Sequence, residues 1–487
     1  MNYNFEKDIL AKIADNIYKH PTQSALYISG QNYTYQEFGQ RISAIRQYIN
    51  TIPDAGQIWG LSLHDDINTY ASIIALWMEG KCYVPLHPSW PNDRLENIIL
   101  QTGCKIILDN CNHPYSGDYL DSWKNISEDE LAYILFTSGS TGTPKGLQIS
   151  RKNLVAFIDS FWETGISITS EDRCMQLFDL TFDVSVQSFL VALLRCASLY
   201  TASYNLPKYL QAAKLIQEDK ITFGAMAPSM LTYLRPYFKE FDANSLKVCI
   251  LTAEACTADL LDDWMKCAPN AEIYDFYGPT EATVYCTYYK VNREYPIDSY
   301  NGIVSIGIPM KNVDAIIIDE DGTIISPDSA SERKGELCIA GDQVTKGYWN
   351  NEEKNKASFF RQGGKRFYHT GDLCFWDKSG NLMYAGRIDN QAKIQGFRVE
   401  LGEIEFHARE YFHNEKRAVA VAFVNNQSLS EIALFIESEE DNPKPMLDYL
   451  RTKMPNYMIP TRIVYEPHFP LNKNEKIDRS VLKQKLK

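Results

Sequence analysis

This 487-residue sequence lacks several things, and each absence narrows its possible roles. It has no run of about eighteen apolar residues, so no membrane span is expected. Its first ten residues, MNYNFEKDIL, are too polar and acidic for a secretory leader. The eleven cysteines include no CxxC pair, which suits reduced, separately buried thiols in a cytoplasmic protein. The eight histidines form no HExxH or similar cluster, so no zinc site is expected. No GxxxxGK[ST] can be read anywhere, which removes the P-loop nucleotide-hydrolase reading. Neither a fixed-period repeat nor a low-complexity linker is present. Positive charge is short, with 49 Lys+Arg against 62 Asp+Glu and a net −13, which argues against nucleic acid as the main partner.

What is present is enough chain for two domains and a large core, at 45% hydrophobic and 23% charged residues. The negative excess is uneven. From Asp389 onward 15 Lys+Arg balance 15 Asp+Glu, so all of it lies upstream. The most informative stretch is LFTSGSTGTPKGL, from Leu135 to Leu147. The residues Leu131–Thr137 before it read as a buried strand, and Ser150 after it reads as the N-cap of a helix carrying Leu154, Phe157, Ile158 and Phe161. Glycines, hydroxyls and Lys145 between them suit a loop whose backbone N–H groups approach an anion, so the stretch reads as a phosphate-gripping loop.

The first hundred residues alternate helical and strand-like segments: Ile9–Ile17 and Tyr35–Ile49 helical, Ala25–Ile28 extended, a helix resuming at Pro91. That alternation predicts a mostly parallel, helix-covered sheet. FDLTFDVSV places Asp183 among apolar residues, where a carboxylate is costly unless it is paired or caps a helix. Ile221–Ser229 and Lys247–Ala255 read as apolar strands ending in turns, and strand ends of parallel sheets are where ligands bind. YDFYGPTEATVY (Tyr274–Tyr285) offers Tyr277 to stack on a base and Glu281 to hold a hard cation. In YHTGDL, Asp372 reads as a tight-turn carboxylate able to bridge two ribose hydroxyls.

These motifs, with GRIDNQAKIQGFRVELGEIE (Gly386–Glu405) and NEKIDR (Asn474–Arg479), together resemble the adenylate-forming superfamily. Within it they look like the amino-acid adenylation domains of nonribosomal peptide synthetases and the stand-alone D-alanine:carrier-protein ligases. The resemblance covers nearly all of the chain. It implies an α/β plus α+β architecture: a large N-terminal domain, residues 1–388, of helix-covered sheets with a β-barrel-like subdomain, and a small mobile C-terminal α+β domain, residues 389–487, hinged at Asp389. It also implies a two-step reaction using ATP and Mg²⁺, giving an aminoacyl adenylate and pyrophosphate, then a thioester on phosphopantetheine.

By motif match, the resemblance places phosphate contacts on Thr137, Ser138, Gly139, Ser140, Thr141, Gly142, Lys145 and Thr280, and Mg²⁺ on Glu281. Glu254, Phe276 and Gly278 would also bind the nucleotide; Tyr277 would stack on adenine, and Asp275, standing where relatives usually carry asparagine, would offer an oxygen to the adenine amino group; Asp372 and Arg387 would hold the ribose. Lys476 would bridge the carboxylate and ATP, in NEKIDR where relatives have NGKVDR. Lys393 would turn toward the pantetheine arm after adenylation.

Asp183 matches the aspartate that amino-acid-activating relatives keep for the α-ammonium group. The remaining pocket positions would be Val184, Gln187, Ala225, Ile250, Thr252, Phe276, Val284 and Tyr285. Part of this set agrees with proline-activating domains, while Thr252 departs from the cysteine of D-alanine ligases. A small apolar amino acid, proline or alanine, is therefore expected. Since nothing resembling a carrier domain follows, the expected acceptor is a separate phosphopantetheinylated carrier protein. The competing readings are an acyl- or aryl-CoA ligase and an inactive nucleotide-binding paralogue; keeping Lys145, Glu281, Asp372, Arg387, Lys393 and Lys476 together opposes the latter.

Overall fold

The computed structural model describes residues 3–53, 56–109, 117, 120, 122–124, 126–139, 142–201, 206–327, 333–389, 391–471 and 477–486. They form two compact units. The first comprises Met1–Pro88, Thr102–Leu135 and Leu147–Ile388; the second comprises Ser89–Gln101, Phe136–Gly146 and Asp389–Lys487.

The first unit is built on a nine-stranded sheet. Strands Ser24–Ile28, Ser198–Thr201, Arg173–Gln176, Phe223–Met226, Val248–Leu251 and Glu272–Tyr277 run parallel through it, and antiparallel strands finish both edges. The βα alternation of the sequence produces this arrangement, since each parallel return needs a helical crossover. Helix Tyr35–Asn50 opens with a Thr34–Glu37 capping box, and Arg151–Trp162 opens with one between Ser150 and Asn153. Helix Asp183–Leu194 is buried on every side; its second half, FLVALL, is wholly apolar, while Asp183, Ser185, Gln187 and Ser188 are buried polar residues in the first half.

A second, six-stranded sheet contains Leu131–Thr137 and Lys145–Ser150, so the glycine-rich loop joins two strands and the helix begins only after the second. Lys145 thus starts a strand; it does not lead straight into the helix. A third sheet is antiparallel, in the order Ile324–Ile325, Val313–Ile318, Gly335–Gly341, Lys365–Trp376, Phe359–Gln362, with Leu382–Arg387 also paired to Lys365–Trp376. Among the described residues no pairing joins its two edge strands.

In the second unit, strands Gln391–Ile394 and Phe397–Glu400 form a hairpin, and helices Leu401–Tyr411 and Lys444–Lys453 pack on a three-stranded sheet. Ile404, Ala420, Leu434, Leu450 and Met458 are in its core. The ten described cysteines are all free and buried. Among the described residues no helix is long and apolar enough to cross a membrane.

Candidate active site

Parallel register brings Ala225 beside Ile250 and Leu251 beside Asp275, so the predicted pocket gathers at the C-terminal ends of adjacent strands. Asp183 is the first residue of its helix; Phe182 holds the cap position, so Asp183 is not the cap. One helical turn on, Gln187 shares its face, and Tyr285 Oη lies 3.4 Å from Gln187 Oε1. The Tyr285 ring packs on Phe276 at 4.8 Å, and its hydroxyl also bonds to the Thr252 side chain. Val184, Gln187, Ala225, Ile250, Thr252, Phe276, Val284 and Tyr285 are all buried.

Burial pushes the Asp183 carboxyl up to about 6, against hydrogen bonds from the Thr280 side chain and the Val184 and Val284 backbone, with the Glu281 carboxylate adding to the rise. Three buried polar atoms around it have no partner among the described residues: Asp183 Oδ2, Gln187 Nε2 and Tyr133 Oη. Tyr133 was not singled out from the sequence, where it read only as a strand residue; the Asp183 charge adds to the burial that raises its hydroxyl pKa.

The loop after Tyr277 is held in an uncommon backbone conformation. Thr283 and Val284 have φ of 55° and 70°, sparsely populated for β-branched residues and found where surrounding contacts enforce them. Gln343 supplies those contacts. Its side-chain amide donates to Ala282 O at 2.7 Å and to Tyr285 O, while its backbone carbonyl accepts the Thr283 hydroxyl at 2.6 Å. Gly278 is required beneath: a Cβ there would lie 2.4 Å from Val284 O and 2.5 Å from Tyr285 Cα. Within this loop Glu281 is buried and accepts the Tyr348 hydroxyl at 2.5 Å.

Of the residues expected at the nucleotide, Tyr277, Asp372 and Arg387 meet one another. Tyr277 Oη donates to Asp372 Oδ2 at 2.5 Å, and Arg387 contacts Asp372 Oδ1 at 2.8 Å from the paired strand. Asp372 lies within the twelve-residue strand Lys365–Trp376, not in a tight turn; Gly371, at φ 72°, and an irregular register opposite it gave the sequence its turn-like look. Glu254 accepts the Ser229 amide at 2.9 Å, and Asp275 is buried in its strand.

The glycine-rich loop belongs to the second unit. There Ser138 Oγ donates to Arg398 O at 3.1 Å and accepts the Glu400 N–H at 2.9 Å. The Gly139 N–H donates to Glu403 Oε2 at 2.8 Å, and Glu403 Oε1 pairs with Arg94 at 2.9 Å, both side chains buried. Lys145 Nζ lies 3.8 Å from Glu400. Lys393 sits in the hairpin strand Gln391–Ile394, and Asp389 begins this unit's long segment. Ser140, Thr141 and Lys476 lie outside the described residues.

Residues 115–349 match the family described as AMP-binding enzyme. Tyrocidine synthase 1 of Brevibacillus parabrevis is 30% identical over 488 residues, 95% of this chain and 43% of that protein. Gramicidin S synthase 1 of Brevibacillus brevis is 27% identical over 505 residues, 99% of this chain and 44% of that protein. The chain therefore spans less than half the length of these relatives. The Vibrio cholerae adenylation domain AlmE, solved in complex with glycyl-adenosine-5'-phosphate, superposes with a TM-score of 0.87 at 24% identity over 100% of this chain and 98% of that one. PA1221, an NRPS protein containing adenylation and PCP domains, superposes at 0.85 and 19% identity, over 99% of this chain and 85% of that one. Residues 115–349 thus carry the AMP-binding match, and the fold of the chain is that of the adenylation domains it superposes on.

Proposed function

We propose that this protein activates an amino acid as its aminoacyl adenylate and passes it to a phosphopantetheine thiol. The carrying observation is Asp183: a buried carboxylate with one oxygen unpartnered among the described residues, beside the orphaned Gln187 and Tyr133 groups. A desolvated carboxylate of this kind is stabilised by an α-ammonium group, whose charge and donors would meet it.

In the first step a carboxylate oxygen of the amino acid attacks the α-phosphorus of ATP, forming the acyl–phosphate bond as the bond to pyrophosphate breaks. Charge alignment dominates such a reaction. Asp372, Arg387 and Tyr277 hold the nucleoside, Thr280 and the glycine-rich loop with Lys145 meet phosphate, and Lys476 bridges the two reactants. The buried Glu281 carboxylate, a hard oxygen donor, fits Mg²⁺, which when bound neutralises phosphate charge. In the second step the small domain turns at Asp389, bringing Lys393 toward a thiol that displaces AMP. The acceptor is the phosphopantetheine thiol of a carrier protein.

The close aromatic packing of Phe276 and Tyr285 supports a small amino acid. AlmE, with its glycyl adenylate, adds glycine to proline and alanine as first substrates to try. A CoA-ligase reading shares the fold, as with the o-succinylbenzoate CoA synthetase of Bacillus subtilis at TM-score 0.81 and 18% identity, but leaves Asp183 without a purpose.

The test is amino-acid-dependent exchange of pyrophosphate into ATP across the proteinogenic amino acids, D-alanine and aryl and fatty acids. One strong amino-acid signal, lost in Lys476→Ala, is expected. Exchange only with acids lacking an amino group overturns the reading.

A further inference from the structure

The third sheet of the first unit brings together three side chains that adenylation does not use. Cys338 and His369 are direct partners in the antiparallel register between Gly335–Gly341 and Lys365–Trp376. Glu336 lies two residues before Cys338 and so shares its face. His369 Nδ1 is 2.8 Å from Glu336 Oε2 and 3.6 Å from Cys338 Sγ, and the three donor atoms all lie within 4.8 Å of one another. One ring nitrogen thus faces a thiol and a carboxylate at once. The Phe360 ring covers the imidazole at 4.4 Å. Cys338 is fully buried, whereas the Glu336 and His369 side chains are 23% and 36% exposed, leaving a route from solvent.

Tetrahedral zinc with bonds of about 2.3 Å to sulfur and about 2.0–2.1 Å to nitrogen separates those two ligands by about 3.6 Å. The observed sulfur–nitrogen distance is already of that size. The nitrogen–oxygen pair needs to open by only about 0.5 Å to reach zinc spacing. Thiolate, imidazole and carboxylate together favour a borderline ion such as Zn²⁺ over Mg²⁺ or Ca²⁺.

We propose that Glu336, Cys338 and His369 form a binding site for a zinc-class divalent cation, with water completing the coordination. Binding releases the thiol proton to solvent, and His369 takes the tautomer that carries its hydrogen on Nε2 and turns the Nδ1 lone pair to the metal. Sequence spacing hid the site, because strand pairing brings the three ligands together from two separate strands.

The site also touches the nucleotide side. Glu336 Oε1 accepts the Gly371 N–H at 2.9 Å, and His369 lies three residues before Asp372 on the same strand. Resting on the proposed function, occupancy therefore tethers the strand that presents Asp372 and alters the KM for ATP more than that for the amino acid.

Binding is tested independently of catalysis by titrating the intact protein with Co²⁺ and recording its absorption spectrum. A thiolate-to-cobalt charge-transfer band is expected at one equivalent, abolished in Cys338→Ala and in the more exposed His369→Ala, and displaced by Zn²⁺ but not by Mg²⁺. Absence of the band, or its persistence in either variant, overturns the site. Failure of the ATP effect with the band intact removes only the link to Asp372.

Discussion

The hydroxyl of Tyr277 donates to Asp372 Oδ2 at 2.5 Å, while Arg387 holds the other oxygen of the same carboxylate. The ring expected to stack on adenine therefore also sets the carboxylate expected to hold ribose. An ionised carboxylate has about four lone-pair sites, so both oxygens still have capacity for sugar hydroxyls.

Tyr277→Phe separates the two roles, because it keeps the ring and removes the donor. A hydrogen bond to a charged group contributes about 1.5–3 kcal/mol, so the KM for ATP should rise about tenfold or more. The KM for the amino acid should stay within about twofold. Steady-state pyrophosphate exchange at varied ATP checks both values.

Asp183 sets pocket chemistry against stability. Its carboxyl is raised from 3.8 to about 6, so the unfolded chain ionises first and the folded state holds its proton longer. The stability contribution is fully present below pH 3.8 and is lost as pH rises through about 6. Asp183→Asn should therefore be the more stable protein at pH 7, by up to about 3 kcal/mol, with the difference vanishing near pH 4. Denaturant melts at the two pH values measure this.

The same titration governs binding. Only the ionised carboxylate can pair with an α-ammonium, so in the wild-type protein the KM for the amino acid should fall as pH rises through about 6. Asp183→Asn should show severely reduced amino-acid-dependent exchange and no such inflection. A pH series of exchange kinetics between 5 and 8 provides the comparison.

Gly278→Ala should disable the pocket, since its Cβ would meet the backbone at Val284 and Tyr285 and neither can yield cheaply. Loss of amino-acid-dependent exchange is expected, along with a fall in stability of several kcal/mol of the kind that overpacking causes. Thermal unfolding and exchange assays on one preparation distinguish misfolding from a displaced loop.

Gln343→Leu removes the two donors that hold the carbonyls of Ala282 and Tyr285. Each buried carbonyl left unpaired costs about 1–3 kcal/mol, and the left-handed Thr283–Val284 pair loses its restraint. A lowered Tm with an amino-acid KM raised more than the ATP KM is the expected pattern.

Local signals were legible in the sequence. The apolar run Leu131–Thr137, the Ser150 cap and the βα alternation all correspond to observed elements, because near neighbours along the chain decide each of them. The pocket residues were found by motif match; the Val184 and Val284 backbone bonds to Asp183, and Tyr285 meets Gln187, Phe276 and Thr252. What was missed depends on long-range pairing. Gln343 reaches Ala282 across 61 residues and Tyr348 reaches Glu281 across 67, and nothing near either residue marks it. Glu336, Cys338 and His369 needed strand register to meet. Asp372 looked like a turn residue because a glycine with positive φ within a long strand has the same local signature as a turn.

The buried thiols supply a reporter that the protein already carries. The ten described cysteines are all buried in segments of the first unit, and the sequence has none in Ser89–Gln101, Phe136–Gly146 or Asp389–Lys487. Alkylation of these ten under native conditions consequently times the opening of the first unit alone. Melting of the second unit passes unseen by any thiol reagent, so labelling rates set beside a whole-molecule probe such as circular dichroism would resolve the two units without a single engineered residue.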